Sequence, residues 1–235
     1  MSNFTAWRSL VDGEEVGGIP DSAVWQINAQ ELTGLSDQDT INTWPDVIGS
    51  NDLDQGTGLT YVTDGINGKP SARADGVDDR LFRDPFGLDI SQKAVIFAVV
   101  ELLSTASDFQ IPHAGATGSD STAYQLRLEN SDGSAKEIFS GNSVSGGSVE
   151  TTAVLVTQVY DGANSKIREN GTQTGTGDVG DRNQASGAEF NVGADREGER
   201  HANADIGMIE IHDGDVDGGI TSREQEIADM WDITL

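Results

Sequence analysis

The stretch VTQVYDGANSKIRENGTQ, residues 156–173, places two turn signals between segments rich in β-branched and apolar residues. Asp161-Gly162 follows the first segment, and Asn170-Gly171 follows the second. Asn-Gly is a strong signal for a two-residue hairpin turn, because both residues tolerate a positive φ. The stretch therefore predicts short antiparallel strands joined by tight turns.

Similar segments, separated by Gly, Asn, Asp and Ser, recur on both sides of this stretch, at 93–103, 123–130, 188–194 and 204–214. Near the C-terminus, 224–231 has the apolar spacing of a helix, with Ile227, Met230 and Trp231 on one side. Many short strands with turn chemistry between them favour a sandwich over a parallel α/β sheet. The predicted fold is all-β, a two-sheet antiparallel jelly-roll sandwich with a short C-terminal helix.

The charge balance of the chain is extreme. Its 235 residues include 40 acidic and 14 basic side chains, for a formal net charge of -26. Such a surface repels itself in dilute buffer, but at about 1 M salt the Debye length falls to roughly 3 Å and the repulsion is screened. The composition therefore predicts a halophilic protein, from a haloarchaeon or one of its viruses.

Several classes of partner and site are disfavoured by composition. The chain has no basic patch that could neutralise phosphates, which argues against binding nucleic acid. It contains no cysteine, and therefore no disulfide or thiolate metal site. Its N-terminus lacks the apolar core of a secretion signal, and no apolar run reaches membrane-spanning length. We expect a protein made in the cytoplasm, without membrane insertion.

An ordered set of elements resembles a known family. The set comprises Trp44-x-Asp46, Asn67 to Pro70 leading into Asp75 to Asp79, the Asn-Gly hairpin, the Asn-Val-Gly of 191–193 and a closing strand with a helix. It is similar to the laminin-G-like jelly rolls of the concanavalin A-like superfamily, with a departure at Ala74, where that family usually has an aromatic residue. The resemblance covers about 21–235 and implies one domain, preceded by an arm and linker at 1–20.

The segment 213–224, DGDVDGGITSRE, has the ligand spacing of a calcium-binding loop. The predicted ligands of Ca2+, or of another divalent cation, are Asp213, Asp215, Asp217, the carbonyl of Gly219 and a bidentate Glu224. The same residues also fit an ordinary strand-to-helix turn, in which Thr221 and Glu224 form a capping box. Glu224 cannot serve both arrangements, so the sequence leaves the two open.

Other candidate residues concern sugars and docking. The chain shows no E-x-D-x-E pair of the kind that glucanases of this fold carry, so we predict a protein without enzymatic activity. His113, Tyr124 and Arg127 are polar or aromatic candidates for contacting a glycan. In the arm, Phe4, Trp7 and Leu10 recur at a helical spacing and predict docking onto the same domain or onto another subunit.

Two functions fit these features. The first is a non-catalytic structural or attachment protein of a haloarchaeal virion, a capsid turret, decoration or tail component. It would self-associate or bind other virion proteins, and contact host surface glycans. The second is a carbohydrate-binding, lectin-type module of a halophilic surface protein. Both hypotheses depend largely on the family resemblance, which indicates the fold more strongly than the biological role.

Salt dependence tests the halophile prediction. Dialysis from multimolar KCl into dilute buffer is expected to unfold the domain, because unscreened carboxylates then repel one another. Circular dichroism along a salt series measures this. A thermal midpoint that stays constant across the series would contradict the prediction.

Overall fold

The computed structural model describes residues 23–90, 93–105, 109–115, 124–129, 135–139, 142–180, 187–195, 198, 200–214 and 218–235. For 109–110, 113–115, 124–129 and 139 only the backbone placement is described. The docking residues Phe4, Trp7 and Leu10 lie outside this part of the chain, as do Asp215 and Asp217.

Fifteen strands form the described structure. The first eight are β1 (Ala23–Asn28), β2 (Thr40–Ile41), β3 (Gln55–Val62), β4 (Ser71–Asp75), β5 (Arg80–Arg83), β6 (Lys93–Leu102), β7 (Phe109–Gly115) and β8 (Tyr124–Glu129). The others are β9 (Ala135–Phe139), β10 (Ser143–Gly146), β11 (Val154–Asp161), β12 (Ser165–Glu169), β13 (Thr172–Gly177), β14 (Glu189–Val192) and β15 (Asn203–Asp213). Helix α1 (Ile220–Trp231) follows.

These strands pair antiparallel into two sheets that share β3. The back sheet has the order β3-β4-β15-β6-β11-β12-β13, with β1 also paired to β15 and β2 to β3. The front sheet has the order β10-β9-β8-β7-β14-β5-β3. A register shift between Gly56 and Gly58 lets β3 pair with β5 through its first half and with β4 through its second. The predicted two-sheet sandwich with one C-terminal helix is confirmed.

The hairpins predicted from 156–173 are present. β11 pairs with β12 and β12 with β13, and Asn170 and Gly171 occupy the connecting turn at φ 44° and 75°. Positive φ at both central positions matches the right-handed twist of the flanking strands.

The core lies between the sheets. Trp25 of the back sheet meets Phe190 of the front sheet at a ring-centroid distance of 4.8 Å, and Phe86 stacks on Phe190 at 4.6 Å. All three side chains are completely buried. Trp44, at the start of the W-x-D element, is also completely buried. Trp25 and Trp44 therefore both belong to the core.

The family-like motifs shape loops. The carboxylate of Asp46 accepts backbone N–H groups of Gln26, Ile48 and Asn51. A Cβ on Gly49 would lie 2.7 Å from that carboxylate, so glycine is needed for the loop to close around it. Asn67 donates through Nδ2 to the carbonyl of Trp231 at 2.9 Å. It thereby satisfies the C-terminal end of α1, where carbonyls lack helical partners.

Helix α1 packs on the outer side of the back sheet. Trp231 is completely buried against Gly207, where any side chain would collide with its ring. Arg223 donates to Glu210 on β15, and Arg168 on β12 donates to Glu224. Met230, expected on the apolar side, is 37% exposed. The helix is thus held by two completely buried apolar side chains, those of Trp231 and Ile227, and by two ion pairs.

The outermost strands of the two sheets meet each other. A Cβ on Gly146 of β10 would lie 2.7 Å from the amide nitrogen of Gly175 on β13, and a Cβ on Gly175 would lie 2.3 Å from the carbonyl of Ser145. Only glycine permits backbones to approach this closely. The sandwich is therefore closed along this side.

Glu210 is the centre of the network below α1. Its carboxylate accepts from Gln26 at 2.6 Å and from Arg223 at 2.7 Å, and His212 Nε2 lies 2.6 Å away. Burial acts to raise the pKa of Glu210, but the hydrogen bonds from His212 and Arg223 outweigh it, so its pKa lies below the usual value. The fold therefore favours the ionised form.

Acid titration tests this network. Because the folded pKa is lowered, the stabilisation is complete above the ordinary glutamate pKa of about 4.3 and is lost as the pH falls through the lower folded value. Glu210→Gln should lower the free energy of unfolding near neutral pH by about 2 kcal/mol and flatten its decline in acid. Thermal melts at constant salt measure this.

Glu226→Gln is the matched control. Glu226 also pairs with Arg223, at 2.7 Å, but its side chain is 64% exposed. Exposed pairs contribute about 0–1 kcal/mol, so this change should be small at every pH. Equal effects of the two substitutions would refute the special role of Glu210.

Candidate functional site

A polar and aromatic cluster lies on the outer side of the front sheet. It comprises Arg80 and Phe82 on β5 with Glu189 and Asn191 on β14, and we call it the front cluster. Successive side chains of a strand point to opposite faces. The residues between these four, Leu81 and Phe190, are buried in the core, so the cluster faces outward.

Arg80 contacts all three other residues of the front cluster. Its Nε donates to Asn191 Oδ1 at 2.6 Å, and its Nη2 donates to the carboxylate of Glu189. Its guanidinium carbon lies 4.1 Å from the centroid of the Phe82 ring, a cation–π distance. The Arg80 side chain is 17% exposed and that of Glu189 13%. The guanidinium is therefore fixed flat across two strands, with part of it open to solvent.

Asn191 lies beneath the Arg80 side chain. The residue is completely buried, and its Nδ2 has no hydrogen-bond partner in the described part of the chain. A buried amide donor without a partner costs about 1–3 kcal/mol, so such groups are rare in folded proteins. Within the described part of the chain, Asn191 is thus held through its oxygen alone, beneath the Arg80 side chain.

A single row of residues crosses the whole front sheet at this level. Consecutive strands place directly opposite one another Gln55, Phe82, Asn191, His113, Gln125, Phe139 and Ser143. We call these seven positions the cross-strand row. Residues opposite each other in a ladder occupy the same face, and among the row positions with described side chains Gln55 and Ser143 are exposed and Phe82 is partly exposed.

The register also places the glycan candidates of the sequence. His113 belongs to the cross-strand row, opposite Asn191. Arg127 lies opposite Glu137, two residues along β8 from Gln125, and hence at a position of the same face. Tyr124 lies opposite Ala114, at a position of the other face. His113 and Arg127 therefore share the outer face with the front cluster, and Tyr124 does not.

The front cluster was missed by sequence reasoning. Arg80 and Asn191 are 111 residues apart, and only the pairing of β5 with β14 brings them together. The available signal was alternation: RLFR and EFNV each place two polar or aromatic side chains on the face opposite their buried residues. Alternation shows which side chains of one strand share a face, but it does not show which residues of other strands lie beside them.

The acidic turn that precedes Arg80 borders the cluster. Carboxylate oxygens of Asp75, Asp78 and Asp79 lie within 4.8 Å of one another. Asp75 Oδ1 accepts the amide of Val77 at 2.8 Å, and Asp79 Oδ2 accepts the amide of Asp75 at 3.0 Å. Burial and the neighbouring charge of Asp75 raise the pKa of Asp79. The turn is shaped by its own hydrogen bonds, and it places three carboxylates immediately before Arg80 in the chain.

Three of the predicted calcium ligands, Asp213, Gly219 and Glu224, lie in the described residues. Asp213 ends β15, and the Gly219 carbonyl accepts the amide of Arg223 at 3.0 Å as α1 begins. Glu224 is completely buried and accepts from Arg168 through both oxygens, at 2.7 and 2.8 Å. No side chain caps the helix start, so the capping-box alternative is wrong. Calcium binding would require Glu224 to leave Arg168, and it stays a prediction.

One further concavity lies elsewhere, beside β2. It is about 300 Å³ in volume, and its walls include Leu32, Leu35, Ile41 and Pro45. Its lining contains no aromatic side chain, and the remaining wall residues are Glu31, Thr33, Thr40, Asn42 and Thr43. No helix in the described residues has the length and hydropathy to cross a membrane.

Comparison with known proteins identifies the fold. No protein-family model and no curated protein sequence matches the chain. Among solved structures, domain 4 of AbnA, an extracellular GH43 arabinanase of Geobacillus stearothermophilus in complex with arabinotriose, is 16% identical with a TM-score of 0.61. That match covers 88% of this chain and 99% of the other.

Two other solved structures match at similar levels. Trypanosoma rangeli sialidase in complex with sialic acid is 11% identical with a TM-score of 0.62, and the match covers 92% of this chain and 35% of the sialidase. The binding domain of Paraclostridial Mosquitocidal Protein 1 is 11% identical with a TM-score of 0.57, over 88% of this chain and 52% of the other. At these identities the likeness establishes an antiparallel β-sandwich fold and nothing finer.

A substitution at Glu224 distinguishes its ion pair with Arg168 from its predicted role as a calcium ligand. Glu224→Gln should lower the free energy of unfolding by about 3 kcal/mol, because Arg168 loses a buried charged partner. The loss should be the same with calcium and with a chelator, as measured by thermal melts at constant ionic strength. A loss that appears only with calcium would instead support the calcium loop.

Proposed function

We propose that this chain is a non-catalytic glycan-binding module whose contact surface is the outer face of the front sheet. The observation that carries the proposal is the cross-strand row, which aligns polar and aromatic positions across seven strands. Sites for polar organic ligands combine apolar or aromatic surface with a few placed hydrogen-bonding groups, and the accessible side chains of Phe82, Gln55 and Ser143 offer both.

Preorganisation supports the proposal. Arg80 is fixed by Asn191, Glu189 and the Phe82 ring, so little side-chain entropy remains to be lost on binding. Phe82 is partly exposed beside it and offers a ring edge to an incoming sugar. Amide and guanidinium groups fixed in this way suit the hydroxyl groups of a saccharide, which both donate and accept hydrogen bonds.

The residue types of the cross-strand row favour binding over catalysis. Hydrolysis of glycosides usually needs two carboxyl groups at a defined separation, one as acid and one as nucleophile or base. The cross-strand row contains no carboxylate, and the neighbouring Glu189 is paired with Arg80. The comparisons add weak support for sugar binding, since the similar AbnA domain and sialidase were crystallised with arabinotriose and sialic acid.

A finer proposal concerns the biological setting. The net charge of -26 supports a halophilic protein, and the sandwich is a fold that virion attachment proteins use. We propose a structural or attachment protein of a haloarchaeal virus that contacts host glycans through this face. Self-association through Phe4, Trp7 and Leu10 belongs to the same proposal. A lectin-type module of a halophilic surface protein is the alternative with the same glycan chemistry.

Glycan binding in high salt tests the proposed function. The protein in multimolar KCl should bind members of a glycan array, with affinities then measured by calorimetric titration. The double variant Gln55→Ala with Phe82→Ala should weaken binding about tenfold, equivalent to 1.4 kcal/mol, because it removes one amide and one ring from the row. Failure to bind any glycan would refute the proposal.

The matched control uses Gln173, which is exposed on β13 of the back sheet, as Gln55 is exposed on β3. Gln173→Ala should leave glycan affinity unchanged. Equal weakening by Gln173→Ala and Gln55→Ala would place the contact elsewhere. Circular dichroism of each variant confirms that the sandwich remains folded.

A further inference from the structure

The concavity beside β2 is built entirely from side chains that the structure describes, and we call it the β2 pocket. Its volume of about 300 Å³ lies at the lower end of the range of about 300–1,000 Å³ that is usual for ligand pockets. The β2 pocket therefore has room for one small ring rather than for a chain of rings. Its lining residues are Glu31, Leu32, Thr33, Leu35, Thr40, Ile41, Asn42, Thr43 and Pro45.

Backbone hydrogen bonds fix the chain on both sides of β2. Before the strand, Gln38 donates to the carbonyl of Tyr61, and Tyr61 donates to the carbonyl of Asp39, each at 2.8 Å. After the strand, Trp44 donates to the carbonyl of Leu53 at 2.9 Å, and Leu53 donates to the carbonyl of Trp44 at 3.0 Å. Because these bonds are made within the chain itself, little conformational entropy remains to be lost when a ligand fills the pocket.

The lining combines an apolar floor with a hydrogen-bonding rim. Leu32 and Ile41 are buried, whereas Thr33, Thr40 and Thr43 are exposed. The hydroxyl groups of these three threonines make no hydrogen bond within the described part of the chain. Each hydroxyl group is therefore free to donate to a ligand and to accept from it.

The charge around the β2 pocket is set by Glu31. It is the one charged residue of the lining, and it forms no ion pair within the described residues. Thr40 also begins a row on the outer face of the back sheet, where it lies opposite Thr60, which lies opposite Arg73. Arg73 already donates to both oxygens of Asp205, at 2.8 and 2.7 Å. The pocket thus offers hydrogen-bond donors and acceptors without a positive charge.

A sugar residue has the complementary arrangement, with C–H groups on the faces of its ring and hydroxyl groups around the edge. From volume, lining and charge together, we infer that the β2 pocket binds one neutral sugar residue, at the end of a glycan. The ring lies on Leu32 and Ile41, and its hydroxyl groups meet the threonine rim. This inference rests on the proposed glycan binding and adds to it a second site, at the edge of the back sheet.

Titration with single sugars locates the site. The probes are methyl glycosides of neutral pentoses and hexoses, added in multimolar KCl to the full chain labelled with nitrogen-15. Amide resonances of residues 31–45 should shift and saturate with the glycosides that bind, whereas those of Gln55 and Phe82 should not move. The absence of any shift in 31–45 would overturn the inference.

A double variant tests the rim. Thr40→Val with Thr43→Val removes two hydroxyl groups and keeps the shape of both side chains. It should weaken the affinity for the single sugar about tenfold, because two neutral hydrogen bonds are lost. Thr151→Val with Thr172→Val, which removes two exposed hydroxyl groups outside the lining, should leave the affinity within twofold. Circular dichroism confirms that both double variants are folded, and equal effects of the two on affinity would refute the assignment.

The outcomes also separate the β2 pocket from the proposed function. Glycans that lose affinity only with Gln55→Ala and Phe82→Ala would leave the proposed function in place and overturn the pocket. Glycans that lose affinity only with Thr40→Val and Thr43→Val would support the pocket and show that the front-sheet contact surface is wrong. Binding of no sugar, on the array or in the titrations, would refute both.

Discussion

The contact of Trp25 with Phe86 and Phe190 between the sheets is the constraint on which the rest of the structure depends. A modest apolar fraction, 35% of the chain, leaves few large side chains to fill a core, and these three meet where the layers cross. Their burial fixes the distance between the sheets and the inward face of β14. Once Phe190 points inward, Asn191 and Glu189 must point outward, and the candidate site follows from the packing of the core.

Ion pairs within the chain are a second constraint on the structure. Arg223 and Arg168 hold α1, and Arg80 fixes the front cluster, each through an ion pair with a carboxylate of the same chain. The stability of the fold and the geometry of the candidate site thereby depend on the same kind of interaction.

Much of the fold was predictable because its signals are local. Asn170-Gly171 specifies a hairpin whatever lies around it, and the spacing of Ile227 and Trp231 specifies a helix with a buried side. The candidate site was not predictable in the same way. His113 and Arg127 were identified by residue type alone, whereas Phe82 and Asn191 gain meaning only from strand pairings between segments distant in the chain. Likewise, Glu224 fitted a calcium pattern, and its partner Arg168 lies on a strand that no local pattern connects to it.

The close approach of β10 and β13 through Gly146 and Gly175 has a consequence for how copies of this protein can join. An exposed strand edge can pair with a strand of another polypeptide and so lead to fibrous aggregation. Here the edge strands β10 and β13 cover each other, so an extended peptide cannot pair with either at this side. Along this side of the sandwich, contact with another copy would therefore have to use side chains of the faces rather than strand pairing.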